Sequence, residues 1–173
     1  MASNREIRIP ADSILILHRT LRAEVGAQAA TVALQTAGHA AGDALYERFD
    51  REGRVDETPH ATFWSRLSGL FREMGWGTVE HRELHAGVGA LVARDWFEVE
   101  VGGRPSCPFS TGVLARILGQ VAGRDVAVMA VPCDDDSDGC CRFLFGAGPV
   151  LQQVYAGLRE GRALDASLGA LGG

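Results

Sequence analysis

The hydrophobic period of the chain first changes at Gly75–Gly77, and that switch constrains the fold more than any other feature. Upstream, Phe63, Trp64, Leu67, Leu70, Phe71 and Met74 recur at offsets of three and four, which makes one broad apolar face of a helix. Downstream, Val88, Ala90 and Val92 alternate with other residues, and Phe97, Val99 and Val101 alternate with Glu98 and Glu100, the period of half-buried strands. A helical half followed by a strand-rich half predicts an α/β (α+β) domain: N-terminal helices packed on an antiparallel sheet.

The remaining elements fit that outline. Pro10 to Ser13 forms a helix start, with Ile14, Leu15, Leu17, Leu21 and Val25 on a helical period behind it. Gly26 interrupts, and a second helix is predicted over 27–49, where Ala37, Gly38, Ala41 and Gly42 let another backbone approach closely. The charged stretch Asp50–Pro59 reads as a surface loop. Gly102, Gly103 and Pro105 end the first strand section, and a helix starting at Pro108 or Ser110 buries Val113, Leu114, Ile117, Leu118 and Val121. Val126–Val131 is a continuous apolar run, suited to a strand covered on both faces, and Cys141–Phe145 returns as its hairpin partner. A last helix over 150–158 precedes a Gly/Ala/Leu tail expected to be weakly ordered. With no internal repeat or low-complexity linker, the division is an N-terminal arm 1–12, one ligand-binding domain 13–148, and a C-terminal helix and tail 149–173.

Bulk properties exclude several classes of function. The formal charge of -5 argues against a duplex nucleic-acid binder, and no Lys/Arg run suggests an anionic membrane surface. The polar Met1–Arg8 is not followed by a signal-type cleavage pattern, and the longest apolar runs fall far short of a membrane span. The expectation is a cytoplasmic chain, in which four cysteines are more often packed thiols or metal ligands than disulfides.

The cysteines form the most specific pattern. Cys133 ends one predicted strand and Cys141 begins the next, so a short turn brings them together, and Cys107 stands at the start of the helix that precedes them. Three convergent thiolates suit a tetrahedral zinc; three small buried apolar side chains are the other reading. Between them, Asp134, Asp136, Asp138 and Gly139 imitate a calcium loop, but Phe145 stands where the closing glutamate belongs, which favours a solvated hairpin turn. His18, His39, His60, His81 and His85 show no metal-site spacing and read as surface or capping residues. With no phosphate loop, dinucleotide fingerprint or nucleophile elbow, the chain is not read as an enzyme. The mid-chain aromatics Phe63, Trp64, Phe71, Trp76, Trp96 and Phe97 read mostly as core packing, while a minority, with Phe63, Trp64, Phe71 and Leu67 as the candidates, line a cavity between the third helix and the sheet.

The run Leu91-Val92-Ala93-Arg94-Asp95-Trp96-Phe97-Glu98-Val99-Glu100, then Cys107, Val131-Pro132-Cys133 and Cys141-Arg142-Phe143, resembles the 4-vinyl reductase domain. The resemblance spans about Ser13 to Gly146. That domain is related in fold to the small subunits of the transport-protein-particle vesicle-tethering complexes and to the sensory domain of phenol-responsive activators. It implies a dimeric, non-catalytic domain that holds a small hydrophobic or aromatic ligand, here bounded by Leu91, Ala93, Thr111 and Val128. It also implies a structural zinc on Cys107, Cys133 and Cys141, although the family's glutamate ligand falls at Ala130, which cannot coordinate. The phenol-contacting tryptophan falls at Ala93, and the family's histidine has no counterpart, so a phenol sensor is not implied. A handling protein for bacteriochlorophyll precursors and an assembly scaffold are the two further functions the resemblance suggests. The chain carries no DNA-binding domain and is not expected to bind nucleic acid by itself.

Overall fold

The computed structural model describes residues 9–99, 106–133 and 139–172, apart from the side chain of Ala61. Two helices open the chain, α1 (Ala11–Val25) and α2 (Ala27–Arg51), separated by Gly26, whose φ of 83° breaks the helical path. A short 3-10 turn, Val55–Glu57, leads to α3 (His60–Glu73). Arg66 on α3 secures this loop: its guanidinium donates to the carbonyls of Gly53 and Phe49 and to Thr58 Oγ1, and lies 4.5 Å from the Phe49 ring centre.

The hairpin β1 (Thr78–His85) and β2 (Val88–Arg94) follows, then α4 (Pro108–Ala122), the hairpin β3 (Ala127–Val131) and β4 (Cys141–Gly146), and finally α5 (Gly148–Arg159) and α6 (Leu164–Gly169). The four strands form one antiparallel sheet in the order β1-β2-β4-β3. Register places His81 opposite Leu91, Leu91 opposite Phe143, and Phe143 opposite Ala130, so one row of side chains crosses the whole sheet. Because strand side chains alternate, this row and its neighbours face α2, α3 and α4. They join Phe63, Leu67, Phe71, Trp96, Val113, Leu114 and Ile117 in the larger hydrophobic cluster. The opposite face, with Val88, Ala90, Val131 and Leu144, is covered by Leu151 and Val154 of α5 and Leu168 of α6. The result is three layers.

The α2–α4 contact is the tightest helix pairing. A Cβ placed on Gly38 would collide with the Phe109 carbonyl oxygen, and one on Gly112 with that of Gln35; at Gly42 it would meet the Val113 carbonyl oxygen and the Arg116 side chain. Of the small residues of α2 expected to admit another backbone, Gly38 and Gly42 do admit one, whereas Ala37 is exposed.

Four expectations are revised. Phe97 and Val99 lie in a turn and not in a strand (Val101 is outside the described residues): Asp95 adopts φ 51°, which bends the chain out of the sheet after Arg94 and sends Trp96 into the interior. The Val126–Val131 run forms an edge strand, half-exposed along most of its length, where coverage on both faces was expected. The tail beyond α5 contains α6 and buries Leu168 and Leu171, because its leucines have the second sheet face to cover. Cys133 is disulfide-bonded to Cys140, where packed thiols or metal ligands were expected.

Candidate functional site

The middle of the helix–sheet layer is filled. Phe71 meets Trp76 in a parallel stack at 5.7 Å and Trp96 edge-on at 5.3 Å, and Trp96 in turn packs on Phe143. Of the residues expected to line a ligand cavity, Phe63, Leu67, Phe71, Leu91 and Ala93 belong to this close-packed interior. The other three, Trp64, Thr111 and Val128, line openings at its two flanks.

One opening, of about 610 Å³, lies between α2, α4 and the start of β3, and its walls include Gln35, His39, Thr111, Arg116 and Val128. Polar and apolar groups line it about equally, and Arg116 is already committed to Asp43 at 2.5 Å. The other, of about 740 Å³, lies between α3 and β1 and carries more chemistry. His60, Trp64, Ser68 and Arg72 repeat every four residues and share one helix face, opposite Val79 and His81 of β1. Ser68 Oγ accepts the Val79 backbone N–H at 3.0 Å, which ties helix to strand. The Trp64 and His81 rings stack at 4.0 Å and 5°, and Phe145 closes behind both. Trp64 Nε1 donates to His60 Nε2 at 3.1 Å, so the neutral His60 ring carries its proton on Nδ1. Burial, reinforced by the neighbouring His60, holds the His81 pKa below its ordinary value and favours the uncharged ring. The site therefore offers an aromatic wall with imidazole groups beside it.

The sequence assigns Trp64 to such a cavity and His60 and His81 to surface or capping positions; His60 is exposed and His81 half-buried. The four-residue repeat from His60 to Arg72 marks His60, and no such pattern marks His81.

A second polar group was also missed. Glu98, 5% exposed, accepts the backbone N–H of Phe109 at 2.8 Å and of Ser110 at 2.7 Å, and the Ser110 hydroxyl also donates to it. It thereby caps α4 from outside the helix. His18 of α1, also buried, places Nδ1 3.5 Å from the carboxyl, and Trp96 Nε1 donates to Ser110 Oγ at 2.9 Å. Burial pushes the Glu98 pKa up to about 7 against the pull of these donors.

Cys107, at the start of α4 in a left-handed conformation, and Cys141, at the start of β4, are both buried free thiols, and they hydrogen-bond to one another. That bond and burial raise the Cys107 pKa and hold it as the thiol. Cys133 stands apart from this pair in its bond to Cys140. Among the described residues no three His, Cys, Asp or Glu side chains gather as a metal-binding group. Held this way, the cysteines do not fit the zinc site that the resemblance implies.

Fold and site together define a three-layer α/β domain with openings flanking a packed aromatic interior. Neither a family model nor a curated protein matches the chain. Among solved structures it is similar to the phenol-responsive sensory domain of the transcription activator PoxR with phenol: TM-score 0.66 and 19% identity, covering 93% of this chain and 84% of that one. A vinyl-4-reductase family protein from Methanocaldococcus jannaschii also matches, with TM-score 0.48 and 17% identity over 82% of this chain and 83% of that one. The phenol-responsive sensory domain is one of the relationships that the resemblance suggests, and at 19% identity the likeness is one of fold. No described helix is long and apolar enough to cross a membrane.

Proposed function

We propose that the chain is a non-catalytic small-molecule-binding domain whose ligand, a small aromatic or hydrophobic molecule with a polar substituent, occupies the opening between α3 and β1. The observation that carries this reading is the Trp64–His81 stack with His60 at its edge: a flat aromatic surface, half-buried, beside an imidazole Nδ1–H able to donate. A ring laid against such a wall gains apolar burial at roughly 25 cal/mol per Å² and an aromatic contact of about 1 kcal/mol. The fold of a domain crystallised with phenol supports the reading. Titration with a panel of monocyclic hydroxyaromatics, followed by tryptophan fluorescence, tests it. Trp64→Ala should weaken binding of any hit by about tenfold or more, a loss of ~1.4 kcal/mol, with little change in the melting of the aromatic interior. A panel that binds wild type and Trp64→Ala equally well defeats the reading.

The same reading includes a homodimer. Ile16 and Leu17 of α1, Val25 at its end and Val32 of α2 are each about half exposed, which leaves apolar surface on the outside of the helical layer. Light scattering should return twice the 18.4 kDa chain mass, falling to one chain mass when Ile16 and Val32 are both replaced by glutamate. A monomer in the wild-type protein removes this part of the proposal.

A further inference from the structure

A zinc clamp at the end of the sheet where β3 and β4 approach the start of α4 would need thiolates and a fourth donor. This chain disposes its groups differently. Cys133 and Cys140 are bonded to each other, with 6.1 Å between their Cα atoms, and close the connection from β3 to β4. Cys107 and Cys141 share a hydrogen bond as buried thiols. Ala130, in the row that faces the helices, offers no donor atom.

The geometry points to a redox-labile covalent clamp standing where a metal clamp would otherwise sit: the Cys133–Cys140 disulfide fixes the β3–β4 connection, and a dithiol reductant opens it. In that step the reductant's two thiols are oxidised to a disulfide. The Sγ–Sγ bond of the protein breaks, and Cys133 and Cys140 each leave as a thiol with one proton from the reductant. Cys133 is half-exposed and gives access, whereas Cys140 is 6% exposed. Opening reaches beyond the hairpin. The Gly139 carbonyl, next to Cys140, accepts the Trp96 backbone N–H at 3.0 Å. Trp96 sits in the aromatic interior, and Glu98, two residues further on, caps α4. The covalent bond, the packed interior and the start of α4 are thereby joined through one short segment.

The test compares the full chain, as purified without reductant, with the chain after reduction. Thiol labelling of the unfolded protein should modify two of the four cysteines before reduction and all four after it, with peptides containing Cys133 and Cys140 linked in the unreduced digest. Reduction should lower the melting temperature by about 5–10 °C, the scale expected for cutting a short cross-linked loop in a chain of this size. Cys140→Ser keeps Cys107, Cys133 and Cys141 intact, so it separates clamp from metal. It should melt like the reduced wild type, be insensitive to reductant and hold no zinc after incubation with zinc chloride. Four labelled thiols before reduction, a melting temperature unmoved by reductant, or one zinc per chain whose chelation lowers the melting temperature would each overturn the proposal.

Discussion

Gly112→Val is expected to destabilise the domain by more than ~4 kcal/mol and to leave little folded protein at 37 °C, as read by chemical denaturation. The Cα of Gly112 lies against the backbone of Gln35, and the group a Cβ would strike is a carbonyl oxygen in the middle of α2, which no rotamer change can move aside. Gly38 presents the reciprocal contact to Phe109, so relief by sliding one helix along the other is blocked from both sides. Separating the helices instead would open the interior packed by Val113, Leu114 and Ile117 on the same helix. Gly69, in the interior of α3 with nothing near its would-be Cβ, provides the control: Gly69→Ala should be neutral or stabilise by up to about 1 kcal/mol.

The second large effect is a pH dependence carried by Glu98. The carboxyl titrates at 4.5 in its ordinary state and at about 7 in the fold, with burial as the main cause. Between those values the unfolded chain has given up its proton while the folded chain still holds it. This group's contribution to stability is therefore complete below pH 4.5 and is lost as pH rises through 7. The difference amounts to about 3 kcal/mol across that window. His18 from α1 and the Cys107 thiol at the start of α4 face the same carboxyl, and the backbone donors of Phe109 and Ser110 complete its surroundings. Glu98→Gln retains an acceptor for α4 and has no proton to lose, so its stability curve should lack this decline between pH 4.5 and 7. A wild-type curve that rises across the window, or a Glu98→Gln curve superimposable on it, would show that the carboxylate is ionised throughout.

Helices α1 to α5 and strand β2 were legible because their apolar residues keep time with about 3.6 or 2 residues per repeat: α3 from Phe63 to Met74, β2 from Val88 to Val92. Gly38 and Gly42 could be recognised as a close-approach stripe from their spacing. Their partner Gly112 could not, since nothing local marks which helix arrives. Four features stayed hidden for physical reasons. A single left-handed residue, Asp95, removes Phe97 and Glu98 from the alternation that their sequence imitates, and so a glutamate assigned to solvent becomes an internal cap. The pairing of Cys133 with Cys140 and not Cys141 turns on one residue of register, and in a strand one residue is the difference between opposite faces. His60 and His81 are distant in the chain and meet only because α3 lies across β1. The cavity expected beneath Leu91 and Ala93 is filled by Phe71, Trp96 and Phe143, a packing outcome that composition does not disclose.

The most direct test of the account is an NMR titration that follows the indole N–H signals of the chain's three tryptophans while a bound hydroxyaromatic is added. A ligand on the α3–β1 wall moves the Trp64 signal, because its Nε1–H is engaged with His60 at the opening. It leaves the Trp96 signal in place, because that N–H is bonded to Ser110 Oγ in the closed interior. A titration in which Trp96 shifts and Trp64 stays still would place the ligand within the interior and contradict the site assigned here.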